Sequence, residues 1–113
     1  MPERIQALIN QYVSAIRNIY GKHIKQIILY GSYARGDFHK GSDVDIMVLV
    51  DLPNDQIESY SDMLSELGFE YNVKHDVWFM PIIKNIKHYS QWCTVYPFYT
   101  NVMKEGVILY ETT

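Results

Sequence analysis

The sequence predicts an α/β or α+β fold, a small mixed sheet of three to four strands flanked by helices. Apolar residues recur at helical spacing through the first twenty positions. Two seven-residue strand-like segments rich in Ile, Val and Leu follow at 24–30 and 44–50, and the pattern then returns to helix. The 113 residues fit one compact domain over 1–113. Hydrophobic residues at 48% and charged residues at 20% supply a core and argue against disorder.

Ile5, Leu8, Ile9, Tyr12, Ile16 and Ile19 form one face of a first helix, which Gly21 ends. Ile24 to Tyr30 reads as a strand and runs straight into Gly31-Ser32. Val44 to Val50 is apolar on both faces, so it is expected at the centre of the sheet. Pro53-Asn54-Asp55 opens a second long helix, with Ile57, Tyr60, Met63, Leu64 and Leu67 inward and Gly68 closing it. Val73 to Met80 is expected as a third strand, interrupted by Pro81, with a helical region through Trp92. Pro97 begins a last helix that stops at Gly106, and Val107 to Tyr110 can add a short edge strand.

Charge and cysteine content narrow the function. A net charge of −3 disfavours a long nucleic acid as main partner, because phosphate backbones select basic surfaces. A single nucleotide is not excluded, since metal ions and backbone amides can hold its phosphates. Cys93 stands alone, so no intramolecular disulfide or cysteine-rich zinc site is expected, and a reducing cytoplasm is the expected setting. The start, MPERIQALIN, lacks the form of a signal peptide, and no run approaches the ~20 apolar residues of a membrane span.

Residues 31–48, GSYARGDFHKGSDVDIMV, hold the candidate chemistry. Asp43 and Asp45 are two apart at the entry to a strand, so their side chains share a face. Two carboxylates so close repel and raise one pKa unless a cation lies between them. Oxygen-only ligands select Mg²⁺ or Mn²⁺. A bare pair of this kind can equally cap a solvated turn. It is not bare here. Gly31-Ser32 follows a strand and opens a short helical turn through Ala34-Arg35, where exposed amides and a hydroxyl can receive phosphate.

Gly-Ser, ten residues, then Asp-x-Asp resembles the signature of the DNA polymerase β-like nucleotidyltransferase superfamily. Ala34-Arg35-Gly36 and Ser42 look like its minimal nucleotidyltransferase (MNT) branch, and the element order and the closing NVMKEGVILYE extend the likeness over nearly the whole chain. The resemblance implies a nucleotidyltransferase fold, ATP as substrate and Mg²⁺ (or Mn²⁺) as cofactor. Asp43 and Asp45 would hold the metal, and Gly31 and Ser32 the terminal phosphates. Arg35 would neutralise phosphate charge, with a plain surface arginine as the alternative. Ser42 would brace the turn before the acids and join the nucleotide-binding set. A third catalytic and metal-binding carboxylate is expected at Asp76, on the strand beside Asp45. Glu70 falls too early for that role, His75 faces the other way as a packed or hydrogen-bonded histidine, and Lys40 sits in a glycine-flanked loop.

The resemblance also implies an acceptor. Members that modify antibiotics or RNA carry further domains, for which these residues leave no room. In the MNT branch the neighbour is commonly a HEPN protein, a helical ribonuclease toxin, so the chain is expected to be an antitoxin that moves AMP from ATP to a toxin tyrosine. Three alternatives stand beside it: a small-molecule nucleotidyltransferase whose acceptor site a dimer partner completes, a binding-only antitoxin with a vestigial nucleotide site, and an unrelated Mg²⁺-binding domain. Self-association and association with another chain both stay open. The aromatic segment 88–102 either faces a partner or covers the sheet.

Overall fold

The structure, a computed structural model, describes residues 2–112. Helix α1 (Glu3–Tyr20) leads through a 3-10 turn at Gly21–His23 into strand β1 (Ile24–Tyr30). There follow α2 (Ser32–Arg35), β2 (Val44–Val50), α3 (Asn54–Ser59), α4 (Ser61–His75), β3 (Phe79–Asn85), α5 (Ile86–Trp92), α6 (Pro97–Glu105) and β4 (Val107–Glu111). The sheet order is β3-β2-β1-β4. Strand β1 is antiparallel to both β2 and β4, and β2 is parallel to β3, so the sheet is mixed as expected.

Both faces of the sheet are covered. On one face Ile27, Leu29, Val44, Ile46 and Val48 pack against Leu8, Ile9, Tyr12 and Ile16 of α1 and Leu64 of α4. On the other, Ile28, Tyr30, Met47 and Leu49 pack against Tyr89 of α5 and Tyr99 and Val102 of α6. This is why β2 past Asp45 reads as a continuous apolar run, Ile46 to Val50: it has a strand on each side and a helical layer on each face. Among the described residues no helix is long and apolar enough to cross a membrane.

The middle of the chain departs from the sequence expectation. The second helix is two helices, broken at Tyr60, and Met63 is exposed instead of inward. Gly68 does not close it. A mid-helix glycine costs about 1 kcal/mol against alanine, but Leu64, Leu67 and Tyr71 pack the helix onto the core on both sides of it. Tyr71 meets Tyr12 and Phe79 edge-on, at 5.5 and 5.4 Å between centroids. The helix runs on to His75, so Glu70, His75 and residues Val73–His75 are helical and not part of a strand.

Strand β3 starts six residues later than expected, at Phe79, and passes through Pro81 to Asn85. Proline is tolerated because β3 is an edge strand, where half of the backbone donors face no neighbour. Asn85 then ends the strand and caps the next helix, its Oδ1 accepting from the N–H groups of Lys87 and His88 at 2.9 and 3.1 Å.

Candidate active site

The site grows from the crossing between β1 and β2. Tyr30 ends β1 opposite Asp45 on β2. Gly31 then turns the chain at φ +76° into α2, and a Cβ added there would overlap Asp45 Oδ2. Glycine is thus required twice at this position, by the backbone angle and by the carboxylate lying against it.

Asp43 and Asp45 share the face of β2 that α5 and α6 cover. Further along that face Met47 and Leu49 are fully buried, whereas Asp45 is half-buried and Asp43 exposed. The covering layer stops short of the strand entry, leaving an open cleft of about 650 Å³. Gly31, Ser32, Arg35, Ser42, Asp43 and Asp45 all line it, so six of the seven residues singled out by sequence converge on one cavity. The loop that delivers the acids is braced by Ser42, whose Oγ accepts from His39 N–H at 2.9 Å and whose N–H donates to His39 O at 3.0 Å.

Asp76 is the exception. It ends α4 in the left-handed conformation, φ 55° and ψ 41°, instead of sitting on a strand. It lines an adjoining cleft, with Arg4, Tyr33, Lys40 and Trp78, that shares His39, Gly41 and Ser42 with the first. The α4 extension is the physical reason, since it moves the strand entry beyond Asp76. Arg4 Nη2 donates to His75 O and ties that helix end to α1. The residue paired with Asp45 across the parallel β2–β3 ladder is Met80, so the adjoining strand offers a thioether where a third carboxylate was expected. Among the described residues no three metal-ligating side chains cluster.

The sequence reading missed Glu105, the last residue of α6. Its Oε1 accepts from Gly31 N–H at 3.0 Å, and Arg35 Nη1 donates to both its oxygens at 3.2 and 3.0 Å. Arg35 Nε donates to Asp37 at 3.1 Å. The guanidinium expected to meet phosphate is therefore held by two carboxylates. The available signal was an acid immediately before the glycine that ends α6. Tyr30, Phe98 and Asn101 also line the cleft, and Tyr30 and Phe98 meet edge-on at 5.6 Å.

Four carboxylates (Asp37, Asp43, Asp45 and Glu105) face one guanidinium in this cleft. Burial, then Asp43, and to a smaller extent Glu105, raise the Asp45 carboxyl above its ordinary range, with Arg35 opposing them. Burial and then Asp45 push the Tyr30 hydroxyl up to about 12, so it stays protonated at neutral pH. An acid excess of this kind takes cations, and the donors are all oxygen, which suits Mg²⁺ or Mn²⁺. Asp43 and Asp45 fit such an ion, and the contact between Asp45 and Gly31 would hold it beside the turn into α2.

The sequence pattern of the nucleotidyltransferase domain family matches residues 9–108. The chain belongs to that family. This nucleotidyltransferase is 33% identical over 102 residues to a provisionally named protein adenylyltransferase of Methanocaldococcus jannaschii, covering 90% of this chain and 94% of that protein. A second so named from the same organism is 34% identical over 83 residues, covering 71% of this chain and 81% of that one. Among solved structures, a provisionally named nucleotidyltransferase from Sulfolobus solfataricus superposes with a TM-score of 0.65 at 16% identity, over 96% of this chain and 81% of that one. A toxin–antitoxin structure with AMP-PNP gives 0.58 at 21% identity, over 91% of this chain and 73% of that one. The complex of a tri-AMPylated Shewanella oneidensis HEPN toxin with its MNT antitoxin gives 0.54 at 21%, over 95% and 72%. These superpositions establish that the nucleotidyltransferase has the fold of that family.

Proposed function

We propose that the chain moves AMP from ATP to a tyrosine hydroxyl of a HEPN-type ribonuclease toxin and so acts as an antitoxin. The observation that carries this reading is the convergence of Gly31, Ser32, Asp43 and Asp45 on one acidic cleft. Support for a protein acceptor comes from the relatives named as protein adenylyltransferases and from the toxin–antitoxin complexes among the structural neighbours.

Mg²⁺ held by Asp43 and Asp45 would offset triphosphate charge and polarise the α-phosphoryl group. The protein's own part is placement. Ser32 and the turn at Gly31 receive the terminal phosphates, and the buried end of β2 keeps Asp45 fixed against that turn. The acceptor oxygen bonds to the α-phosphorus as the bond to pyrophosphate breaks, pyrophosphate leaves, and the hydroxyl proton passes to solvent water. This reading gives Asp76 no role, because it ends α4 off the strand beside Asp45 and lines an adjoining cleft.

Met80 beside Asp45 favours a second reading, an antitoxin that binds its partner without modifying it. Pyrophosphate release separates the two. With native partner, ATP and Mg²⁺, wild type is expected to release pyrophosphate and Asp45→Asn to release none. Equal, negligible release by both proteins would leave the binding-only reading.

A further inference from the structure

Glu105 occupies an electrostatically unfavourable place. It is the last residue of α6, where the helix dipole disfavours a carboxylate. It also shares the cleft with Asp37, Asp43 and Asp45. The position is not slack. A Cβ at the following residue, Gly106, would overlap Val102 O and Ile28 Cγ2, so the end of α6 is pressed onto β1. What compensates Glu105 is one N–H donor from Gly31 and Arg35 Nη1, which reaches both carboxylate oxygens.

A backbone amide at a glycine turn and a guanidinium engaging two oxygens are the donors that a phosphate takes. Here a side-chain anion of the same molecule already holds both. We propose that Glu105 is an internal competitor for the nucleotide phosphates, and that it makes the cleft select the cation-complexed nucleotide over the free one. The inference rests on the reading of this cleft as a nucleotide site.

The selectivity follows from charge. A free triphosphate would enter a cleft already holding four carboxylates and would also have to strip Glu105 of Gly31 and Arg35. Its repulsion from the acids is strongest at the half-buried Asp45 and is partly screened at the exposed Asp37 and Asp43. A cation-complexed nucleotide arrives with less negative charge, so the same exchange is easier. Without the Glu105 charge, Arg35 is free for phosphate and the penalty on the free nucleotide falls.

The test is calorimetric titration of the full chain with AMP-PNP, in Mg²⁺ and separately in EDTA, for wild type and Glu105→Gln. Glutamine keeps an acceptor for Gly31 N–H, removes the charge and puts an NH2 donor in place of the second oxygen that Arg35 Nη1 reaches. Wild type is expected to bind the free nucleotide at least about tenfold more weakly than the Mg²⁺ complex. Glu105→Gln is expected to bind the free nucleotide about tenfold more tightly than wild type, with a smaller gain for the complex. Binding of the free nucleotide that is unchanged or weaker in folded Glu105→Gln would overturn the proposal. A second readout needs no variant. In wild type the Gly31 amide resonance should move when AMP-PNP is added, as its acceptor changes from carboxylate to phosphate, and an unmoved resonance at saturation would overturn the proposal equally. If neither protein binds nucleotide in either condition, the nucleotide reading itself fails and takes this inference with it.

Discussion

Asp45 is held against a glycine on one side and faces two further acids on the other. Its folded-state pKa is raised, so the native protein binds this proton more tightly than the unfolded chain does. Between the ordinary carboxylate pKa and the raised one, stability therefore falls as pH rises, and at neutral pH the whole penalty is present. Asp45→Asn should melt at a higher temperature than wild type at pH 7 without metal, with a gain that shrinks as pH falls through that window and is gone below the ordinary carboxylate range. A melting curve with the same advantage at every pH would contradict the electrostatic account. The same substitution should remove pyrophosphate release, on the order of a thousandfold or more, with unchanged far-UV circular dichroism. Gly31→Ala should disturb the same carboxylate by steric overlap. It is expected to lose Mg²⁺-dependent AMP-PNP binding in calorimetry, and binding at the wild-type affinity would show that the cleft does not depend on that close contact.

At the scale of elements, α4 and β3 decide where Asp76 lies. Asp76 closes α4 in the left-handed region, which Asn adopts readily. Asp76→Asn should therefore fold normally and keep transfer within about threefold of wild type. Loss by about a hundredfold with nucleotide binding intact would show that Asp76 enters the reacting complex after all. The α6–β4 junction makes a separate prediction. Gly106 has φ −68°, an ordinary angle, so Gly106→Ala is opposed by overlap alone. It should lower stability by about 1–3 kcal/mol in urea melts, and an unshifted midpoint would mean that α6 sits less tightly on β1.

These same elements mark how much was legible in the sequence. The Gly31-Ser32 turn and the Asp43/Asp45 pair could be read because period-2 alternation and a glycine turn are local rules, and the site follows from them. Strand β2 could be placed at the centre because burial on two faces leaves a continuous apolar run after Asp45. The stretch 61–80 could not be read so. Its glycine signalled a helix end, but packing of Leu64, Leu67 and Tyr71 on the core carried α4 past it, and Pro81 signalled a break that an edge strand does not require. Glu105 was invisible for another reason. Its partners, Gly31 and Arg35, are 74 and 70 residues away, and no local pattern reports a contact of that range.

For the whole molecule, two helical layers cover the centre of the sheet, and the layer of α5 and α6 stops short of the strand entry where the acids emerge. The layer of α5 and α6 both covers the sheet and reaches outward. Tyr89, Tyr99 and Val102 are buried, while Val95, Tyr96, Phe98 and Met103 stay exposed, and Phe98 lines the cleft. If the cleft holds a metal-complexed nucleotide, its ligand stabilises the whole fold by linkage. Millimolar Mg²⁺ with ATP should raise the wild-type melting temperature and leave that of Asp43→Asn unmoved. Indifference of wild type would favour the binding-only antitoxin. The central claim is transfer to a protein hydroxyl, and intact-mass measurement of the co-purified partner tests it most directly. Partner, ATP and Mg²⁺ are incubated with wild type or with Asp43→Asn, and the partner is weighed. The account predicts gains in steps of about 329 Da, one per AMP, mapping to tyrosine and appearing with wild type only. A partner of unchanged mass that both proteins silence equally would contradict it.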